Sequence, residues 1–378
     1  DHRFVRFGRY LAKENGEGAS VMNTSQHELL TPVSIWTRLL QAKIVDGDMP
    51  ALDHTQTATQ PWYIRVMLGF SGWLGALFLM GFVGILFSLA RDNGIVTICI
   101  GGGLCTLAYL LFRIPGNNDF LLQFALAVSL AGQGFFVFGL FQEFRSDGAG
   151  VYLAILLFEV LLTVTVSNWI HRFLTTLGAV FAAYFFFQQS AIFGLMHGLV
   201  ALAACGLWWS PVLLRRPELL RPIAYALAFA LLCTEGGRFV SRLAFDPNHG
   251  WWLLHGWRVG TSLANLALVA ATVIVLQRQQ FALNSLPAIF SLVAAIIVCG
   301  FSYVAPGLSS ALLLILIAYS FSDRVLLGVG LIALLSFVSH YYYQLQVTLL
   351  YKSIVLLGLA GLLLISRFLL KRFFPIAD

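Results

Sequence analysis

YYYQLQVTLLYKSIVLLGLAGLLLISR, Tyr341 to Arg367, is an apolar stretch of helix length that carries one lysine, Lys352, inside its apolar run. About 20 apolar residues cross a hydrocarbon core of about 30 Å as a helix. A cationic side chain at the centre of such a helix costs roughly 2.5 to 3.5 kcal/mol on insertion scales, so Lys352 asks for a partner, a water-filled cavity or a nearby interface. Apolar runs of the same kind recur from Val66 almost to the C-terminus. The class they define is an all-α, polytopic transmembrane helix bundle.

Composition agrees. Of 378 residues, 59% are hydrophobic and 11% charged, against roughly 25% charged in a soluble domain. That excludes a water-soluble globule. Runs such as Ala311 to Tyr319, ALLLILIAY, do not alternate as the strands of a transmembrane barrel would. The net charge of +6 comes from basic residues spread singly between apolar segments, the pattern of topology determinants, and no nucleic-acid partner is expected. Cys99, Cys105, Cys205, Cys233 and Cys299 lie within apolar runs without a CxxC pair and read as small packing residues. No HExxH, GxSxG or P-loop is present, nor a His or Cys cluster with metal spacing, so no cofactor, metal or catalytic residue is expected. Gly101-Gly102-Gly103 lies inside a hydrophobic span and reads as a packing or kink feature.

In chain order, residues 1–21 read as a non-native leader translated from upstream of a start at Met22, because Gly16-Glu17-Gly18 can be encoded by a purine-rich ribosome-binding stretch. The alternative is a genuine basic tail, and neither reading gives a signal peptide. Residues 22–61 form a cytoplasmic segment. Leu29, Leu30, Ile35, Leu39, Leu40 and Ile44 suit short amphipathic helices, and GDMPALDHTQTATQP suits a linker. Residues 62–378 are the transmembrane domain. Twelve spans are predicted: Val66 to Ala90, Ile95 to Leu111, Phe120 to Phe141, Gly150 to Val166, Phe173 to Gln188, Ala191 to Trp209, Pro222 to Glu235, Gly260 to Leu276, Leu286 to Val304, Leu308 to Phe321, Val325 to Ser339 and Val347 to Ser366. The fifth and sixth either form a tight hairpin or include a partly re-entrant segment. Ser71 with Gly75 and Ala127 with Ala131 have the four-residue spacing that lets helices approach.

Charge sets the orientation. One side collects thirteen basic residues, Arg38, Lys43, Arg65, Arg113, Arg172, Arg215, Arg216, Arg221, Arg278, Arg324, Arg367, Lys371 and Arg372. The other collects five, Arg91, Arg145, Arg238, Arg242 and Arg258. The positive-inside rule then places both termini in the cytoplasm. The longest outer connection, Gly236 to Arg258, carries Trp251, Trp252 and Trp257, which suit an interfacial belt or a short re-entrant helix.

Depths along these spans, at about 1.5 Å per residue, put most expensive polar groups in the outer half of the membrane. The candidate cluster is Lys352, Glu159, Gln133, His197, Glu235, Asn265 and His340. One reading is a polar cavity open to the outer face, with Lys352 and either Glu235 or Glu159 as its charged pair. The other differs by residue. Lys352 snorkels to the outer interface; Glu159 faces the bundle interior, paired or protonated; His197 and Asn265 hydrogen-bond between helices; Glu235 pairs locally with Arg238 at i, i+3.

Three stretches carry a resemblance: PWYIRVMLGFSGWLGALFLMGFVG from Pro61 to Gly84, LLQFALAVSLAGQGFFVFGLF from Leu121 to Phe141 with Gln133 in its Ala-Gly-Gln core, and the opening stretch with Tyr341-Tyr342-Tyr343, Thr348-Leu349-Leu350, Lys352-Ser353, Gly361 and Arg367. Nearly everything from Met22 onward resembles the bacterial membrane proteins grouped as domain of unknown function 4401. The resemblance implies a bacterial inner-membrane protein related to the domain of unknown function 2157 proteins, with partners among small membrane proteins encoded nearby, including one with a Gly-Asp-Tyr signature. It implies no substrate and no catalytic residue.

These readings converge on a multi-pass inner-membrane protein in contact with lipid. The leading function is a non-enzymatic component of a membrane complex, with Gln133, Glu159 and Lys352 holding helices together. The alternatives are a transporter or lipid-handling protein with an outward-facing polar cavity, and an intramembrane enzyme.

Overall fold

The computed structural model describes residues 93–114, 119–144, 148–192, 194–241, 251–282 and 284–344, with single helical positions from 36 to 84 and at 350. Lys352, the span predicted from Val347, residues 1–21 and most of the span predicted from Val66 lie outside the described residues. The chain divides into two compact units, Asp1–Pro61 and Trp62–Asp378. In the first, positions 36, 37, 40 and 41 are helical.

The second unit is built of helices. They are α1 (Gly94–Phe112), α2 (Asp119–Phe144), α3 (Ala149–Thr165), α4 (Trp169–Gln189), α5 (Met196–Trp209), α6 (Pro211–Arg215), α7 (Pro217–Ser241), α8 (Trp251–Arg278), α9 (Leu286–Ser302), α10 (Leu308–Phe321) and α11 (Arg324–Gln344). Among the described residues there is no strand. Among the described residues, six helices are long and apolar enough to cross a membrane: α1, α2, α4, α11, and the segments Pro217–Gly236 of α7 and His255–Arg278 of α8. Helices α3, α5, α9 and α10 are apolar but shorter. The chain is therefore membrane-embedded. Bulky apolar side chains on the outward side of α3, Leu157 at 62% exposure, Leu161 at 59% and Val164 at 61%, suit lipid as the surrounding medium.

Local chemistry sets the ends. Asn93 and Asn168 cap α1 and α4, their side-chain oxygens accepting from the amides of Val96 and His171, and Asp323 Oδ1 caps α11 by accepting from Val325 and Leu326 at 3.0 Å each. Helices α4, α8 and α10 stop alike. Ala191, Gln280 and Ser322 turn left-handed at φ 57°, 61° and 55°, and the next residue's amide reaches back to the carbonyls of Phe187, Leu276 and Ala318.

Two boundaries differ from the sequence reading in ways that matter. Helix α4 begins at Trp169, so His171 and Arg172 belong to the helix and not to the connection; the Asn168 cap is the reason. Trp251, Trp252 and Trp257 open the long helix α8 and form no separate re-entrant element. The fifth and sixth predicted spans become α4 and α5, joined through left-handed Ala191 and Gly194.

Small residues govern the packing. Helices α1 and α2 meet along a seam with seven-residue spacing, Gly94, Gly101 and Ala108 facing Ala125, Gly132 and Gly139. A methyl on Gly101 would lie 2.5 Å from the Phe136 amide nitrogen, whereas Gly102 and Gly103 have nothing within 4 Å. The glycine run therefore contributes one packing position. Helix α7 is the centre of the larger group, contacting α4, α5 and α10. Its Ala224, Ala226, Ala228, Ala230 and Leu231 are fully buried, pointing in several directions around the helix. Helix α8 packs on α5, α9 and α10, and α11 packs on α10.

Candidate functional site

Two polar sites are built into these interfaces. The first lies among α1 to α4. Helix α4 carries His171, Thr175 and Gly178 at i, i+4 and i+7, hence on one stripe. Facing helices present Glu159 and Thr163 from α3 and Ser129 and Gln133 from α2, each pair at i, i+4. The Thr163 hydroxyl meets Thr175 Oγ1 at 2.9 Å, and Thr175 donates to the His171 carbonyl. Ser129 Oγ and His171 Nε2 are 2.8 Å apart, and Gln133 Nε2 donates to Ser129 Oγ at 3.3 Å. Because Ser129 Oγ already accepts from Gln133, Ser129 gives its own proton to Nε2 and the ring hydrogen sits on Nδ1, which is buried without a partner.

Glu159 sits against this stripe, 4% exposed. A methyl on Gly178 would lie 3.0 Å from its carboxyl carbon, so the glycine makes the seat for the carboxyl group. Glu159 Oε2 is buried with no hydrogen-bond partner. Cys105 of α1 donates its thiol to the Ser129 carbonyl at 3.6 Å.

Arg172 closes the end of this site. Its Nε donates to the Thr163 carbonyl at 3.2 Å, Nη1 to the Glu218 carbonyl at 3.0 Å and Nη2 to Ser167 Oγ at 3.5 Å. Both carbonyls lack a usual helical donor. Thr163 belongs to the last turn of α3. Glu218 stands four residues before Pro222, which has no N–H to return.

The second site joins α5, α7, α8 and α10. Glu235, 2% exposed, accepts from Ser310 Oγ at 2.8 Å, and His197 Nε2 lies 4.0 Å from the same carboxyl oxygen. The His197 ring stacks on Trp257 with centroids 5.4 Å apart. Gly260 makes room for it, since a methyl there would lie 2.3 Å from His197 Cε1. Glu235 Oε2 and Ser309 Oγ are buried without partners.

The remaining candidates are placed separately. Asn265 Nδ2 donates to the Cys299 carbonyl at 3.0 Å and its Oδ1 accepts from Ser302 at 2.8 Å, tying α8 to α9. His340 is partly buried near the end of α11. Gln133 belongs to the first site, and His197 and Glu235 come together in the second. Sequence reasoning missed Ser129, His171, Arg172, Thr175 and Ser310, and also the Tyr225 hydroxyl bonded to Asp323. For His171 and Arg172 the signal was Asn168, a capping residue before the apolar run. The others are ordinary small polar residues until a neighbouring helix is placed beside them.

Among the described residues, no three His, Cys, Asp or Glu side chains come together as metal ligands. No curated protein and no solved structure matches the chain. Residues 61–373 match the family described as "Domain of unknown function (DUF4401)", which is the family to which this helical, membrane-embedded chain belongs.

Proposed function

We propose that the protein is a bacterial inner-membrane protein with both termini in the cytoplasm, serving as a non-enzymatic component of a membrane complex. The observation that carries this reading is the use made of the buried polar side chains. Ser129, Thr163, Asn265 and Ser302 spend hydrogen bonds on neighbouring helices, with Gln133 bonding to Ser129 from one turn along the same helix, as expected of groups that hold a bundle in register. The even number of spans read from the sequence, twelve, and the positive-inside count support the topology. The partners are membrane lipids and small membrane proteins encoded nearby.

Affinity purification of the tagged chain from its native membrane tests the reading. A stoichiometric membrane protein should co-purify, and recovery of the chain alone with lipid would overturn it. Alkaline phosphatase fused after Asp378 should be inactive, and activity there would refute the topology. A second reading, a transporter or lipid-handling protein, is favoured by Glu235 Oε2 and Ser309 Oγ, polar atoms buried without hydrogen-bond partners. Glu159→Gln and Lys352→Met separate the two. If function is lost while the complex still assembles, transport gains; if the variants fail to assemble, the structural reading gains.

A further inference from the structure

Glu159 is the group that helix packing alone explains least. Its neighbours on α2 and α4 have hydrogen-bond partners, but its carboxyl group accepts nothing from them. The Thr163 hydroxyl, which lies one turn along α3, bonds to the backbone carbonyl of Glu159 and to Thr175. Oε2 is buried and without a partner. Phe158, the preceding residue, stacks on Phe136 of α2 with centroids 3.8 Å apart.

The charged and titratable groups facing it from the packed helices are few. Helix α1 offers the Cys105 thiol, which is neither cationic nor a donor to Glu159. Helix α2 offers the neutral Ser129 and Gln133, with Asp119 and Glu143 at its far ends. Helix α4 offers His171, whose Nε2 is engaged by Ser129, and Arg172, whose described bonds all go to carbonyls and a hydroxyl. Among the described residues, no cation lies within ion-pair distance of Glu159. Removing a carboxylate from water without a counter-charge or donors is among the costliest arrangements in a protein, and uptake of one proton removes the charge.

We propose that Glu159 is a proton-binding site of the membrane domain, its carboxyl group held in a seat formed by Gly178. The carboxylate takes up one proton to give the neutral acid and releases it again, so its occupancy follows pH. This goes beyond a role in holding a complex together, and either can hold without the other.

The test uses the full-length wild-type chain, purified in detergent and treated with dicyclohexylcarbodiimide. A protonated carboxyl adds across one C=N bond of the reagent, its oxygen going to carbon and its proton to nitrogen, with nothing expelled. Mass spectrometry of the peptide containing Glu159 reads the adduct. Labelling should be present at about pH 5 and fall toward about pH 9, by about tenfold per pH unit beyond the midpoint. Sodium chloride should not change it, and Glu159→Gln should abolish it at that peptide. Absence of the adduct at every pH would overturn the proposal. So would pH-independent labelling, which marks a carboxyl that never ionises. Protection by sodium at fixed pH would also overturn it, by making a metal cation the ligand.

Discussion

The Arg172 guanidinium donates to the Glu218 carbonyl oxygen at 3.0 Å, the carbonyl that Pro222 cannot bond because it has no N–H. A proline within α7 thus creates an acceptor that a cation on α4 fills, and the two helices are joined where a regular helix would have offered nothing.

The double-mutant cycle of Arg172 and Pro222 should therefore be non-additive. Arg172→Lys keeps the charge but loses the fork that reaches Thr163 and Glu218 together. It should cost about 1.5–3 kcal/mol, the range for hydrogen bonds to charged groups. In a Pro222→Ala background the restored amide satisfies Glu218, and the loss should shrink by about 1 kcal/mol. Thermal unfolding in detergent measures both, and equal losses in the two backgrounds would count against the link.

Gly101 and Gly102 are neighbours in sequence with opposite expectations. A methyl on Gly101 would lie 2.5 Å from a backbone nitrogen of α2, which cannot yield without separating the helices. Gly101→Ala should destabilise by about 1–3 kcal/mol. Gly102→Ala, with open space around it, should be neutral or stabilising by up to about 1 kcal/mol. Melting temperatures of the two variants check this directly.

Ser310 and Ser309 make a similar contrast. Ser310 supplies the described hydrogen bond to Glu235, so Ser310→Ala should cost about 1.5–3 kcal/mol and Ser310→Thr much less. Ser309 Oγ is buried without a partner, and Ser309→Ala should leave stability unchanged or raised. A larger loss at Ser309 than at Ser310 would show that the acid is held by something else.

Asp323 caps α11 and accepts from Tyr225 on α7. Asp323→Ala should cost about 0.5–2 kcal/mol through the lost cap, and Asp323→Asn should retain most of it. Tyr225→Phe removes one bond and keeps the cap, so it should cost less than Asp323→Ala. The order of the three unfolding midpoints is the readout.

Much of the architecture was legible in the chain. Leu308 to Phe321 is predicted and observed with the same ends, and α1, α2, α3 and α9 differ by a few residues, because an apolar run bounded by polar residues is a local property. The start of α4 was legible too, had Asn168 been read as a cap. Burial of Glu159 and Gln133 follows from their place in apolar runs.

Pairing did not follow. Ser129 and His171 are 42 residues apart, and Glu235 and Ser310 are 75 apart, and nothing local selects one partner over another. Nor does hydropathy distinguish Gly101 from Gly102, which differ only by a rotation of about 100° around α1. The sequence by itself determined a helical membrane protein and which of its polar groups are expensive to bury. Only the tertiary structure decided that these groups separate into distinct sites, that Gly178 and Gly260 make room for a carboxyl and an imidazole, and that Arg172 answers Pro222. The physical reason is that insertion cost depends on a residue and its immediate segment, whereas hydrogen bonding and close approach depend on which helix faces which.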